Sequence, residues 1–168
     1  MRVLSSWFRF ALGALIVAPF FNAAALGAKE PPSDACSLLT AGQLEKILGQ
    51  PFGVPQRSTA PANYPGQLSG TECDYEIQKG LARKVVFIAY VDPSVAQAKA
   101  TYEKLSMWFA SRSSPADIGD SAYIDDSHAI HVLKGRVRYY INVVPIGTST
   151  PEKEKQLRDL AAWVAAQI

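Results

Sequence analysis

The sequence predicts an α+β domain: an antiparallel sheet of four to six strands, with helices mainly on one face, arranged as a ββα pseudo-repeat. Three observations carry this expectation. Two strand pairs each turn on a Lys-Gly dipeptide, Lys79-Gly80 and Lys134-Gly135, and Gly supplies the positive φ that tight hairpins need. Each pair leads to an Asp/Thr-Pro dipeptide and a helical pattern, at Asp92-Pro93 and Thr150-Pro151. The strand Arg136–Val144 alternates, with Val137, Tyr139, Ile141 and Val143 on one side and Arg136, Arg138, Tyr140 and Asn142 on the other.

The chain opens with Arg2 and Arg9, an apolar run over Phe10–Phe21, and a tail of small residues. That order is the signature of a cleavable secretory signal, expected over residues 1–28. The apolar run falls short of the roughly 20 residues that cross a bilayer, and Pro19 breaks it as a helix. No stable membrane insertion is expected after cleavage. Residues 29–35 read as a linker, and residues 36–168 as a single α+β domain. Cys36 does not end the apolar run and has no Leu three residues before it, so it reads as structural and not as an acylation site.

The full chain carries 17 Lys+Arg against 15 Asp+Glu. Loss of Arg2 and Arg9 leaves the domain formally neutral, which removes the charge argument for a nucleic-acid partner. Cys36 and Cys73 are the two cysteines. In an oxidising compartment they read as one disulfide, contributing about 4 kcal/mol by constraining the unfolded chain. The expected location is therefore periplasmic or secreted.

Within the domain, Thr40 and Gln43 have capping-box spacing, and Leu44, Ile47 and Leu48 form a helical face that Gly49 ends. Pro55 to Gly70 reads as a long loop, with Tyr64 as its ligand-facing aromatic. Glu72–Gln78 pairs with Leu81–Val91, whose apolar run on both faces marks it as central. Asp92 is the expected N-cap, and Pro93 the first position, of a helix over Ser94–Ser111. Its inner stripe is Val95, Ala98, Tyr102, Leu105 and Phe109. His128–Leu133 pairs with Arg136–Val144. The last helix, Glu152–Gln167, turns Leu157, Leu160, Ala161, Val164 and Ile168 inward. Trp108 and Trp163 fall at the stripe edges.

The expected chemistry is sparse. On a strand, His128 and His131 point to opposite faces, so neither a metal site nor a cofactor is expected. No Gly-x-Ser-x-Gly elbow or phosphate-binding glycine loop occurs. Asp117, Asp120 and His128 are the acid/base candidates for an alternative reading as a small periplasmic hydrolase or lyase. The leading expectation is no enzyme, and a ligand-binding face of Arg136, Arg138, Tyr140 and Asn142 beside Lys84 and Tyr90. Arg suits carboxylate or phosphate, and Tyr suits stacking. The partner would be an envelope protein, a cell-wall component or a small ligand. Changing Arg138 and Tyr140 to Ala should then remove the partner without unfolding the domain. A purely structural envelope role is the third reading.

The order Cys36-x-Leu-Leu-Thr40, Leu48-Gly49, Cys73, Gly119-Asp-x-Ala-Tyr123 and a Lys-Gly hairpin resembles a group of small secreted or lipid-anchored bacterial domains of uncharacterised function. The resemblance spans most of Cys36 to Ile168 and implies an α+β cell-envelope domain, with no catalytic residues to carry over. The chain departs from lipid-anchored members in lacking an acylation cysteine.

Overall fold

A computed structural model describes residues 34–62, 67–77, 84–112, 117–144 and 150–168. The expected signal segment, most of the linker, Tyr64 and the Lys79-Gly80 turn lie outside the described residues.

The fold is α+β, built on one antiparallel sheet. Its strands are β1 (Gln56–Ala60), β2 (Gly70–Glu76), β3 (Lys84–Val91), β4 (Ala110–Arg112), β5 (Ser121–Asp125), β6 (Ile130–Lys134) and β7 (Val137–Val144). Their spatial order is β1-β2-β3-β7-β6-β5-β4. Six strands have five residues or more, and β4 adds a three-residue edge. Among the described residues three helices, α1 (Ala41–Leu48), α2 (Val95–Phe109) and α3 (Pro151–Ala165), pack against it.

The central pair is β3 with β7, in register from Lys84↔Val144 to Val91↔Val137. Val85, Phe87, Ala89, Tyr139 and Ile141 point to one face and are buried with Leu157, Leu160, Ala161 and Val164 of α3. Tyr139 crosses that core, and its hydroxyl donates to the Ala161 carbonyl at 2.6 Å. Leu39 and Leu44, from the chain around α1, complete the layer. Cys36 and Cys73 form the expected disulfide, with Cα atoms 5.6 Å apart, and join a 3-10 turn at Ala35–Ser37 to β2. The Tyr75 hydroxyl donates to the Leu39 carbonyl beside it.

Two of the three helices share this face, and α2 lies on the other. Its buried Ala98 and Tyr102 pack with Tyr123 and Leu133, which alternate with the core residues Ala122, Ile124 and Val132 along β5 and β6. The ββα order does recur. A two-fold axis relating antiparallel neighbours such as β3 and β7 would place α2 and α3 on the same face, and they are on opposite ones.

Several local expectations are revised. Gln56–Ala60, read as loop, forms edge strand β1 against β2. Its side chains are mostly exposed, so it shows no apolar alternation. Strand β6 begins at Ile130, not His128, because His128 sits in the preceding turn at φ +59°. Ser94 Oγ, not Asp92, caps α2, accepting from the Gln97 N–H at 3.1 Å. At its other end α2 stops at Phe109, short of the expected Ser111, because Ala110–Arg112 forms β4, and α3 stops at Ala165, short of Gln167. The starts of α1 and α3 match expectation. Gln43 accepts from the Thr40 N–H at 2.7 Å, and Thr150 Oγ1 accepts from the Lys153 N–H at 3.2 Å ahead of Pro151.

The Gly-Asp-x-Ala-Tyr segment and the Lys-Gly turn are one structural unit. Gly119 adopts φ +64°, and a Cβ there would stand 2.5 Å from the Leu133 carbonyl oxygen; only glycine fits both constraints. The turn aims Asp120 at the second hairpin. Its Oδ2 accepts from the Gly135 N–H at 2.7 Å, and its Oδ1 meets Lys134 Nζ at 3.2 Å. Ala122 then joins the core, and Tyr123 is buried on the opposite face.

Candidate functional site

The face under α2 is organised in cross-strand rows. One runs Tyr123–His131–Tyr140–Ile88–Glu72 across β5, β6, β7, β3 and β2. The next runs Ser121–Leu133–Arg138–Tyr90, and a third Asn142–Val86–Asp74. Opposed side chains in such rows are close enough for ring contacts. His131 stacks on Tyr123, with centroids 4.5 Å apart and planes at 7°, and meets Tyr140 edge-on at 4.9 Å.

Helix α2 covers only part of this face. Tyr102 is buried and packs on Tyr123, their centroids 5.4 Å apart. Toward the end of the helix Leu105 is half-buried, and Phe109 is exposed. Below them Val86, Ile88 and Tyr90 are also half-buried, while Val85, Phe87 and Ala89 on the reverse face are buried. The gap is a pocket of about 270 Å³, near the lower end of ordinary ligand pockets, ~300–1,000 Å³. Its floor is Val86, Ile88, Tyr90, Tyr123, His131, Arg138 and Tyr140; its roof is Tyr102, Leu105 and Phe109; Gln67 adds a side wall. Met107 and Trp108 are exposed beside Phe109, and Trp108 meets that ring edge-on at 6.4 Å.

The charges at the site are paired within the protein. Arg138 Nε donates to Asp92 Oδ2 at 2.6 Å and Nη2 to Oδ1 at 3.2 Å. The two side chains are 5% and 1% exposed. The Arg138 guanidinium also lies 5.1 Å over the Tyr90 ring, a cation–π contact. Gly70 makes room for that ring, since a Cβ there would come within 2.7 Å of it. Asp125 accepts from Ser127 Oγ at 2.6 Å, from the Ala129 N–H at 3.0 Å, and bonds His131 Nε2 at 2.8 Å. Burial alone would raise the Asp125 carboxyl; the His131, Ser127 and Ala129 bonds outweigh it and hold it below the usual range. Burial pushes the Tyr140 phenol up, against the Asn142 hydrogen bond that favours its ionised form.

The expected binding residues divide. Arg138 and Tyr140 line the pocket with Tyr90. Asn142 is buried behind them, its Nδ2 donating to the Tyr140 hydroxyl at 3.0 Å. Its Oδ1 is a buried acceptor without a partner among the described residues. Arg136 is an exposed turn residue whose Nε donates to the Asp92 carbonyl at 3.0 Å. Lys84 pairs with Asp74 across β2 and β3. Arg138 and Asn142 are 4% exposed, so this is no open, solvated sheet face. Removing Arg138 strands the buried Asp92 carboxylate, so the expectation of a harmless Arg138→Ala change does not survive.

Among the acid/base candidates, Asp120 is spent on the β6–β7 turn, and Asp117 and His128 occupy turn positions at φ +77° and +59°. Among the described residues, no three His, Cys, Asp or Glu side chains gather as a metal-binding group. No described helix is long and apolar enough to cross a membrane.

The pocket walls do not stand out in the sequence. Tyr102, Leu105 and Phe109 read as an ordinary core stripe, and His131 as a strand residue. The signal was available in β3: a strand apolar on both faces needs cover on both. No protein family, curated protein or solved structure matches the chain.

Proposed function

We propose that the protein is an exported, non-catalytic binding module of the cell envelope, periplasmic or secreted, and that the pocket between α2 and the sheet takes a small ligand. The signal-like N-terminus and the Cys36–Cys73 disulfide support export. The pocket carries the binding reading. It leaves Val86, Ile88, Leu105 and Phe109 incompletely covered on facing elements. Covering each ~100 Å² of such apolar surface contributes about 2.5 kcal/mol. A purely structural role has no use for that gap.

A thermal-shift screen of neutral and charged aromatic fragments tests the reading. Fragments that raise the melting temperature should lose their effect in Leu105→Trp, which fills the cavity from the roof. Hits that persist undiminished in a folded Leu105→Trp protein would place binding elsewhere.

One observation favours a second reading, a hydrolase or lyase. Asp125 bonded at Nε2 sets the neutral His131 ring as the Nε2–H tautomer, which leaves Nδ1 as an acceptor. His131 in the pocket wall, with Asp125 bonded to its far nitrogen outside the lining, is a general-base arrangement. Turnover of any ester or amide substrate, lost in Asp125→Asn while folding holds, would favour it over a binding module.

A further inference from the structure

We infer that the ligand of this pocket is an uncharged, ring-bearing molecule of the phenol class. The inference rests on the binding reading above and deepens it.

Charge closure is the first argument. The cation lining the pocket, Arg138, is matched by the buried Asp92 through two hydrogen bonds. Asp125, behind His131, is met by three donors. Neither charge asks for a counter-ion. A charged ligand would enter a partly dry cavity with no opposite charge available unless one of these pairs broke. Desolvating an unpaired charge is the more costly event. Glu72, the next side chain after Ile88 in its row, does not line the pocket.

Shape and polarity are the second argument. The row Tyr123–His131–Tyr140 forms one wall of flat rings, while Ile88, Leu105 and Phe109 give apolar contact. Ring ligands gain from edge-to-face and offset packing on such walls. Phenol hydroxyls, an imidazole and Gln67 are interspersed with the apolar groups. A ring with one hydroxyl can exchange hydrogen bonds with such groups, which a bare hydrocarbon cannot do.

Free small molecules and tyrosine side chains of peptides share this chemistry, and four probes separate the cases. The purified, disulfide-bonded protein is titrated with 4-methylphenol, N-acetyl-tyrosine amide, 4-hydroxyphenylacetate and tyramine, following the methyl resonances of Val86, Ile88 and Leu105 by NMR. The better neutral probe should bind about tenfold or more tightly than either charged one. Preference for the amide identifies a peptide side chain as the source, and preference for 4-methylphenol a free molecule. A smaller gap, or a charged probe that binds more tightly, overturns the inference while leaving a ligand pocket in place. If no probe moves those methyls, the phenol inference falls, and the fragment screen with Leu105→Trp decides separately whether the pocket takes another ligand.

Discussion

Replacing Arg138 by Met should unfold more of this protein than any surface change on the same face. The Arg138–Asp92 pair is almost wholly withdrawn from water, with side-chain exposures of 5% and 1%. Met matches much of the volume of Arg but leaves the Asp92 carboxylate without its bidentate partner. Breaking one side of a buried pair costs about 3–5 kcal/mol, mostly from the stranded charge. The cation–π contact with Tyr90 is also lost. For a domain of this size, the loss corresponds to a fall in melting temperature of about 10–20 °C. Urea unfolding followed by circular dichroism gives the free energy directly. The double change Asp92→Leu with Arg138→Met removes both charges, so it should recover much of the loss; replacement of buried pairs by apolar residues is often close to neutral. A cost under about 1 kcal/mol for Arg138→Met, or a double variant that loses the sum of the two single changes, would contradict a buried charge left without its partner.

Other perturbations probe separate parts of the fold. Asp120→Ala should cost about 1–2 kcal/mol and speed hydrogen exchange at the Gly135 amide, which loses its carboxylate acceptor; unchanged exchange there would contradict the clamp. Asp125 is held below the ordinary carboxylate range. Its contribution should therefore be fully present above about pH 4, the unfolded value, and be lost as pH falls through the lower folded value. The stability gap between wild type and Asp125→Asn should narrow with acidification across that window, and a gap that widens would reverse the sign. Removing the Cys36–Cys73 disulfide by a double change to Ala should cost about 4 kcal/mol, measured by urea unfolding.

The α+β class, the disulfide, the β6–β7 hairpin and the last helix were legible in the sequence because each rests on short-range chemistry. Lys134-Gly135, Thr150-Pro151 and the alternation of β7 act locally, and the fold honours them. Strand β1 was hidden because an edge strand with exposed side chains has no apolar period to show. Asp92 was misassigned because its N-cap position and its tertiary role are alternatives. Ser94 takes the cap, while Asp92 meets Arg138, 46 residues on. Arg138 and Tyr140 were identified as a polar face, but periodicity could not show that α2 closes over it. A polar-aromatic strand face looks the same in sequence whether water or a helix lies above it.

The most direct test of the ligand pocket is intermolecular NOE measurement on the protein saturated with its best neutral phenol probe. The pocket predicts contacts from the probe ring to Val86 and Ile88 on the sheet and, in the same complex, to Leu105 on α2. NOEs confined to the exposed Met107 or Val54, with none to the sheet methyls, would contradict it.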